Sequence, residues 1–175
     1  MEPGFHACQR SGRLGRIRVK QVVCAPPEAV AALARDINLY PSFMPSLRRI
    51  ELLETDADGL GGRTRWHAEH RLFAARRAMS WVQRERWDPG GLCCRFELDP
   101  SEPGRYKKLK GRWLFNPHPD GAELVVDIDF LLDHPALNPA IHRVLDMLME
   151  RNNRALLKAM KHAAETSCVQ PRPQI

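Results

Sequence analysis

No stretch of this 175-residue chain holds about 18 consecutive apolar residues, so a membrane-spanning helix is excluded. The apolar core of a secretory signal is missing as well: residues 1–14 are polar and glycine-containing and read as a flexible tail. There is no glycine-rich phosphate loop, Walker sequence or nucleophile elbow, which removes several common nucleotide-binding and hydrolase readings. Five cysteines are present (Cys8, Cys24, Cys93, Cys94 and Cys168), and none forms a C-x-x-C pair. Cys93 and Cys94 would point to opposite faces of a strand. That usage predicts a reduced, cytoplasmic protein. Internal repeats are absent, and so is any motif for binding RNA or DNA. The net charge of +6 is scattered along strands and one helix, so it reads as a solvated basic surface with no nucleic-acid partner.

What is present is a long amphipathic segment near the end of the chain. From His134 to Glu165 apolar residues recur at Ile141, Leu145, Leu148, Leu156, Ala159 and Ala163, the spacing of one side of a helix. Asn152 interrupts that stripe. Arg143, Glu150, Arg154, Lys158 and Lys161 fall opposite. A helix of this length needs a broad apolar surface to lie on, and the upstream alternation supplies one. Residues 15–24 alternate as a strand, and Pro26-Pro27-Glu28 then opens a helix, with proline and an acidic residue suited to its first turn. Tyr40-Pro41 through Pro45 allows one more short helical turn. Six further strands follow over 47–54, 64–72, 79–87, 92–98, 106–115 and 123–132, separated by turns rich in Asp, Pro and Gly. The last two pair as a hairpin in which Lys108, Lys110 and Arg112 oppose Asp127 and Asp129. The expected architecture is one α+β domain over 15–166, between tails at 1–14 and 167–175. In it, a curved antiparallel sheet of about seven strands wraps on a long C-terminal helix, with two short helices after strand one. The space between sheet and helix would hold a largely apolar ligand.

Two stretches carry a family resemblance. Val22-Val23-Cys24-Ala25-Pro26-Pro27-Glu28, with Asp36-Ile37-Asn38-Leu39-Tyr40-Pro41-Ser42-Phe43-Met44-Pro45, resembles the START-like superfamily of helix-grip (Bet v 1-like, SRPBCC) proteins. Within it the chain is similar to the polyketide cyclase/dehydrase and coenzyme Q-binding group. Tyr106 through Pro117, with its Trp113-x-Phe115-x-Pro117 run, resembles the quinone-binding branch, and Trp81-Val82 resembles the aromatase/cyclase branch. Four residues after the tryptophan that Trp81 matches, aromatase/cyclases similar to this chain carry an arginine; here the position is Glu85. The resemblance implies a cavity for a polyketide, quinone or lipid, no metal or redox cofactor, and an acyl carrier protein as a candidate partner.

The candidate site follows from strand parity. Trp81, Gln83, Glu85 and Trp87 share one face of a strand; Trp66 and His70 share one face of another. Glu85 in an apolar cavity would be poised to move protons in an aldol closure or dehydration; the bland reading is a strand-end glutamate paired with an arginine. His70 suits proton transfer near neutral pH, or else a hydrogen-bonded rim position. Trp66, Trp81 and Trp113 offer flat walls for an aromatic ligand, or simply fill a core. Gln83, Asn152 and Tyr40 could hold ligand oxygens, against readings as packing or backbone-bonded residues. His67-Ala68-Glu69-His70 is not a metal site, since the two histidines face opposite ways on a strand. Three functions fit: a polyketide aromatase/cyclase using Glu85, His70 or ordered water; a quinone or lipid carrier without chemistry; and, from the basic balance alone, an interaction protein like the ribosome-associated members of the group.

Overall fold

The computed structural model describes residues 14–44, 46–72, 75–132 and 139–169, with only the backbone course at 70–72, 75–77, 139–141 and 168–169. The strands are β1 (Gly15–Val23), β2 (Leu47–Thr55), β3 (Gly61–Leu72), β4 (Ala75–Trp87), β5 (Cys93–Leu98), β6 (Tyr106–His118) and β7 (Gly121–Leu132). Helix α1 (Pro27–Arg35) and the one-turn α2 (Tyr40–Phe43) connect β1 to β2, and α3 (Pro139–Val169) ends the described chain. All seven strands form one antiparallel sheet in the order β1-β7-β6-β5-β4-β3-β2. This is the expected α+β helix-grip architecture, a curved sheet on a long helix.

Period-two patterning builds the sheet. In β1, Ile17, Val19 and Val23 are buried, while Arg16, Arg18 and Lys20 stand outside against Asp129, Asp127 and Glu123 of β7. Leu124, Val126, Ile128 and Phe130 of β7 and Leu109, Trp113 and Phe115 of β6 join them in the core. The β6–β7 hairpin has the expected register, with Lys110 opposite Asp129 and Arg112 opposite Asp127. It runs further than its turn-rich sequence suggests. Asn116, Pro117 and His118 stay in the ladder, paired with Glu123, Ala122 and Gly121. Gly121 makes this possible: its φ is +129°, and a side chain there would meet the Val23 carbonyl oxygen at 2.4 Å.

Two strand expectations need correction. β4 begins at Ala75 rather than Met79; the expected link Phe73–Arg77 shrinks to 73–74, outside the described residues. Val82 points outward as alternation requires, yet it is 0% exposed. The loop after β5 folds over it: Asp99 N–H donates to the Val82 carbonyl and Val82 N–H donates to Glu102, each at 2.9 Å.

Helix α3 lies against β1, α1 and α2. Its most buried side chains are Asn153, Leu156, Leu157, Met160 and Ala164. Leu145, Leu148, Ala159 and Ala163 are only partly buried, and the side chain of Ile141 lies outside the described residues. The buried stripe is thus turned by about one residue from the sequence reading, because α1 covers the helix from the side as well as the sheet from below. Its C-terminal half is pinned polar to polar: Lys161 Nζ donates to the Val22 carbonyl at 2.8 Å, and Glu165 accepts from Cys24 N–H at 2.8 Å. The helix runs on to Val169, past the expected end at Glu165. Residues 1–13 and 170–175 of the expected tails lie outside the described residues. No described helix is long and apolar enough to cross a membrane.

Candidate aromatic cavity and its hydrogen-bonded wall

The inner face of the sheet, α2 and the middle of α3 enclose a cavity of about 80 Å³. Aromatic rings form one part of its wall. Trp66 and Trp81, cross-strand partners on β3 and β4, stack with centroids 5.8 Å apart and planes 20° from parallel. Tyr40 meets Trp66 edge-on at 5.4 Å and Trp113 at 6.2 Å; Tyr106 meets Trp81 edge-on at 5.4 Å. Such tilted and stacked pairs add to stability beyond the area they bury. The expected ligand-facing tryptophans are therefore gathered at one place. Trp87 does not line the cavity: it stacks on Phe115, which stacks in turn on Trp113 at 6.5 Å, and the Arg35 guanidinium lies 4.6 Å above its ring.

Behind the rings runs a branched hydrogen-bond network. Trp66 Nε1 donates to Thr64 Oγ1 at 3.0 Å, and Thr64 Oγ1 donates to Glu85 Oε1 at 2.8 Å. Trp81 Nε1 donates to Gln83 Oε1 at 3.1 Å, and Gln83 Nε2 donates to the same Glu85 oxygen at 2.9 Å. Both indoles are thus fixed through one intermediate to one carboxylate oxygen. Strand geometry explains the pattern, since residues two apart share a face and reach each other along the strand. Gln83 lines the cavity as expected, whereas Glu85 sits one step behind it and does not. Glu85 has no ion pair with an arginine among the described residues; its partners are neutral.

Of the other expected residues, Asn152 lines the cavity from α3. Tyr40 lines it too, but its hydroxyl donates to the Ala34 carbonyl at 2.9 Å, which ties α2 to the end of α1. His70 pairs in register with Arg77 on β4, and its side chain lies outside the described residues. His67 is on the outer face, with Nε2 3.4 Å from Glu51.

Sequence reasoning missed two polar residues of the wall. Asn153, 6% exposed, faces the cavity and donates through Nδ2 to the Met149 carbonyl at 2.9 Å, leaving its carbonyl oxygen without a partner among the described residues. Tyr106, 5% exposed, lines the cavity with a hydroxyl that has no hydrogen-bond partner among the described residues. Strand parity could not have found Tyr106. A register shift between Tyr106 and Lys108 brings it to the inner face, where strict alternation would place it outside with Lys108 and Lys110. Burial pushes the Tyr106 phenol above its ordinary pKa. Burial, and then the charge of Glu85, push Tyr40 well above its own. Both phenols therefore keep their protons near neutral pH; the Tyr40 hydroxyl donates to the Ala34 carbonyl, and that of Tyr106 is left to donate. The thiol of Cys94 is raised for the same two reasons, burial first, so it is a poor nucleophile.

The arrangement can grip a flat apolar molecule and hold its oxygens. Its volume is below the several hundred cubic ångströms that bind a drug-sized ligand, so a multi-ring occupant must displace some of the rings. A larger concavity of about 840 Å³ lies on the opposite, charged face of the sheet.

Comparisons with known proteins agree with this geometry. A family model described as polyketide cyclase / dehydrase and lipid transport matches residues 15–165. The granaticin polyketide synthase bifunctional cyclase/dehydratase of Streptomyces violaceoruber is 30% identical over 156 residues, which take in 82% of this chain and 42% of that protein. The chain therefore spans well under half the length of that relative. Among solved structures, the Zhui aromatase/cyclase of Streptomyces sp. R1128 superposes with a TM-score of 0.76 at 21% identity, over 93% of this chain and 100% of the other. The protein TTHA0849 of Thermus thermophilus gives 0.75 at 24% identity, over 87% and 98%. At these identities the two structures bear on the fold alone.

Proposed function

The chain belongs to the polyketide cyclase/dehydrase and lipid transport family, and on that premise we propose that it closes a ring in an aromatic polyketide by aldol condensation and loss of water. The observation that carries this reading is the pairing of a stacked-ring wall with an unpartnered, protonated phenol, Tyr106, inside the same cavity. A poly-β-ketone chain is flat in its enol form and reacts wherever it happens to fold. Holding one fold of it between Trp66, Trp81 and Trp113 would select one ring closure, and positioning of this kind supplies much of the barrier reduction in such reactions. In the carbon–carbon bond-forming step, a base takes a proton from a methylene between two carbonyls, the carbanion attacks a third carbonyl, and its oxygen takes up a proton. Tyr106 would donate to that oxygen and the Asn152 amide to another, while the Asn153 carbonyl oxygen would accept from an enol hydroxyl. Water in the cavity would take the methylene proton and pass it to Glu85, one step behind Gln83; His70, whose side chain lies outside the described residues, is the other candidate base. Loss of the second proton of that methylene with the new hydroxyl releases water and forms a ring double bond, and enolisation of the remaining ring carbonyls completes the aromatic ring.

A second reading, a carrier of a quinone or lipid without chemistry, is favoured by one observation. Glu85 does not line the cavity, and its Oε1 is already occupied by Thr64 and Gln83. Native mass spectrometry of the full chain purified from its own host, followed by organic extraction, separates the two. A polyketide or polycyclic aromatic species supports the cyclase. An isoprenoid quinone or an acyl lipid overturns it in favour of the carrier.

A further inference from the structure

The outer face of the sheet carries a charge pattern that the cavity does not use. Antiparallel register places its side chains in rows that cross the strands. One row alternates in sign: Arg84, Glu97, Lys110, Asp129 and Arg16 stand side by side on β4, β5, β6, β7 and β1. The next row does not. Arg86 is opposite Arg95, and Arg95 is opposite Arg112, so three guanidinium side chains sit in series on adjacent strands. Like charges directly opposite each other weaken a ladder, so this row works against the sheet. Its two ends are compensated: Arg86 by Asp56 at 2.9 Å and by Asp58, and Arg112 by Asp127 at 2.9 Å. Arg95, exposed between them, has no carboxylate within ion-pairing distance among the described residues. All three line the outer concavity of about 840 Å³.

We propose that this face docks an acidic helix of a partner protein, with Arg95 at the centre of the contact. Strands are about 4.8 Å apart, so the row is about 10 Å long. Carboxylates three or four residues apart on a helix are about 5–6 Å from each other, which matches two successive gaps in the row. The neighbouring row argues against a nucleic acid, because Glu97 and Asp129 would repel a continuous phosphate backbone laid across the face. Among the described residues Phe96 is the only aromatic lining the concavity, and its ring is buried on the inner side, so none of them offers a base an exposed stacking platform. None of the exposed large apolar side chains, Leu14, Leu52, Leu53 and Met147, lies in the concavity, which removes the apolar anchoring a membrane surface would use.

The test uses the full chain and a fluorescein-labelled alanine-based helical peptide with glutamates at i and i+4, beside the same peptide with glutamines. Fluorescence anisotropy should show the glutamate peptide bound at least about tenfold more tightly. Arg95→Glu should lose about tenfold of that affinity. Arg143→Glu, an equal charge change on the exposed side of α3, should stay within about twofold. Arg95→Glu also restores alternation in the row, so its thermal midpoint should equal or exceed that of the unsubstituted chain. The proposal is overturned by an equal loss in both variants, by equal binding of the two peptides, or by a lowered midpoint for Arg95→Glu. Tighter binding of a single-stranded RNA, or of phosphatidylserine vesicles, than of the glutamate peptide overturns it as well.

Discussion

Replacing Thr64 with valine tests whether the network behind the rings holds the cavity together. The side chain is 2% exposed and does two things at once: it donates to Glu85 Oε1 at 2.8 Å and accepts from Trp66 Nε1 at 3.0 Å. Losing a hydrogen bond to a charged acceptor costs about 1.5–3 kcal/mol, and losing a neutral one about 0.5–1.5 kcal/mol. The added buried methyl returns about 0.8 kcal/mol. The net expectation is a loss of about 2 kcal/mol, which for a chain of this size lowers the thermal midpoint by about 4–8 °C. Urea denaturation followed by tryptophan emission reads the loss, and binding of the extracted ligand reads its consequence. With its indole N–H unpaired, Trp66 should shift its emission maximum and the ligand should bind more weakly. Thr64→Ser, which keeps the hydroxyl, should recover most of both. A Thr64→Val loss below about 0.5 kcal/mol, with emission and affinity unmoved, would refute the network as the element that sets the rings.

Glu85→Gln keeps an oxygen acceptor for Thr64 and Gln83 while removing the charge, so stability should change by less than about 1 kcal/mol. If Glu85 moves the proton, turnover should drop by about a hundredfold or more with ligand binding retained; unchanged turnover confines Glu85 to positioning. Tyr106→Phe removes a hydroxyl that bonds nothing in the described structure, so folding should be unaffected within about 0.5 kcal/mol. In a tryptophan-quenching titration, affinity for a carbonyl-bearing aromatic should fall about 5–10-fold. Asp99 is held at about 2 by the hydroxyl and N–H of Ser101, with Arg63 adding, against an ordinary value of 3.8. A carboxylate depressed in this way stabilises the fold fully above its unfolded pKa and loses that contribution as pH falls through its folded pKa. Asp99→Asn should therefore be less stable by about 1–2 kcal/mol at pH 6, a gap that closes between about pH 4 and pH 2 in urea titrations.

Most of the fold was legible because its signals are local. Period-two runs such as Ile17-x-Val19 and Leu124-x-Val126-x-Ile128, together with Asp, Pro and Gly turns, place every strand within a few residues. The errors fall where something non-local overrides the pattern. Gly121 can pass beside the Val23 carbonyl, which lets Asn116–His118 stay in the ladder. The loop after β5 buries Val82 on a face that alternation marks as wet. The site was legible in its rings and less so in its polar atoms. Trp66, Trp81, Gln83 and Trp113 follow from parity alone. Tyr106 depends on a register shift, and Asn153 on the exact rotation of α3; neither is written in a window of neighbouring residues.

One strand supplies both faces, and this bears on how the cavity can open. On β4, Trp81, Gln83 and Glu85 build the ring wall, while Arg84 and Arg86 belong to the outer rows. The outer side chains are ion-paired across the strands, and the inner ones are bonded along and across them, so the sheet side of the cavity is held by polar contacts on both surfaces. The opposite side is held differently. Tyr40, on a helix of a single turn, is tied by one hydroxyl to Ala34, and Met149 and Asn152 of α3 are only partly buried. Methionine repacks at little cost, and a one-turn helix has little cooperativity to lose. A ligand larger than about 80 Å³ must therefore enter by moving α2 and the adjoining turns of α3, while the tryptophan wall stays where its network sets it. If the cavity takes such a ligand, the wall would set its plane and the α2 side how much of it is admitted.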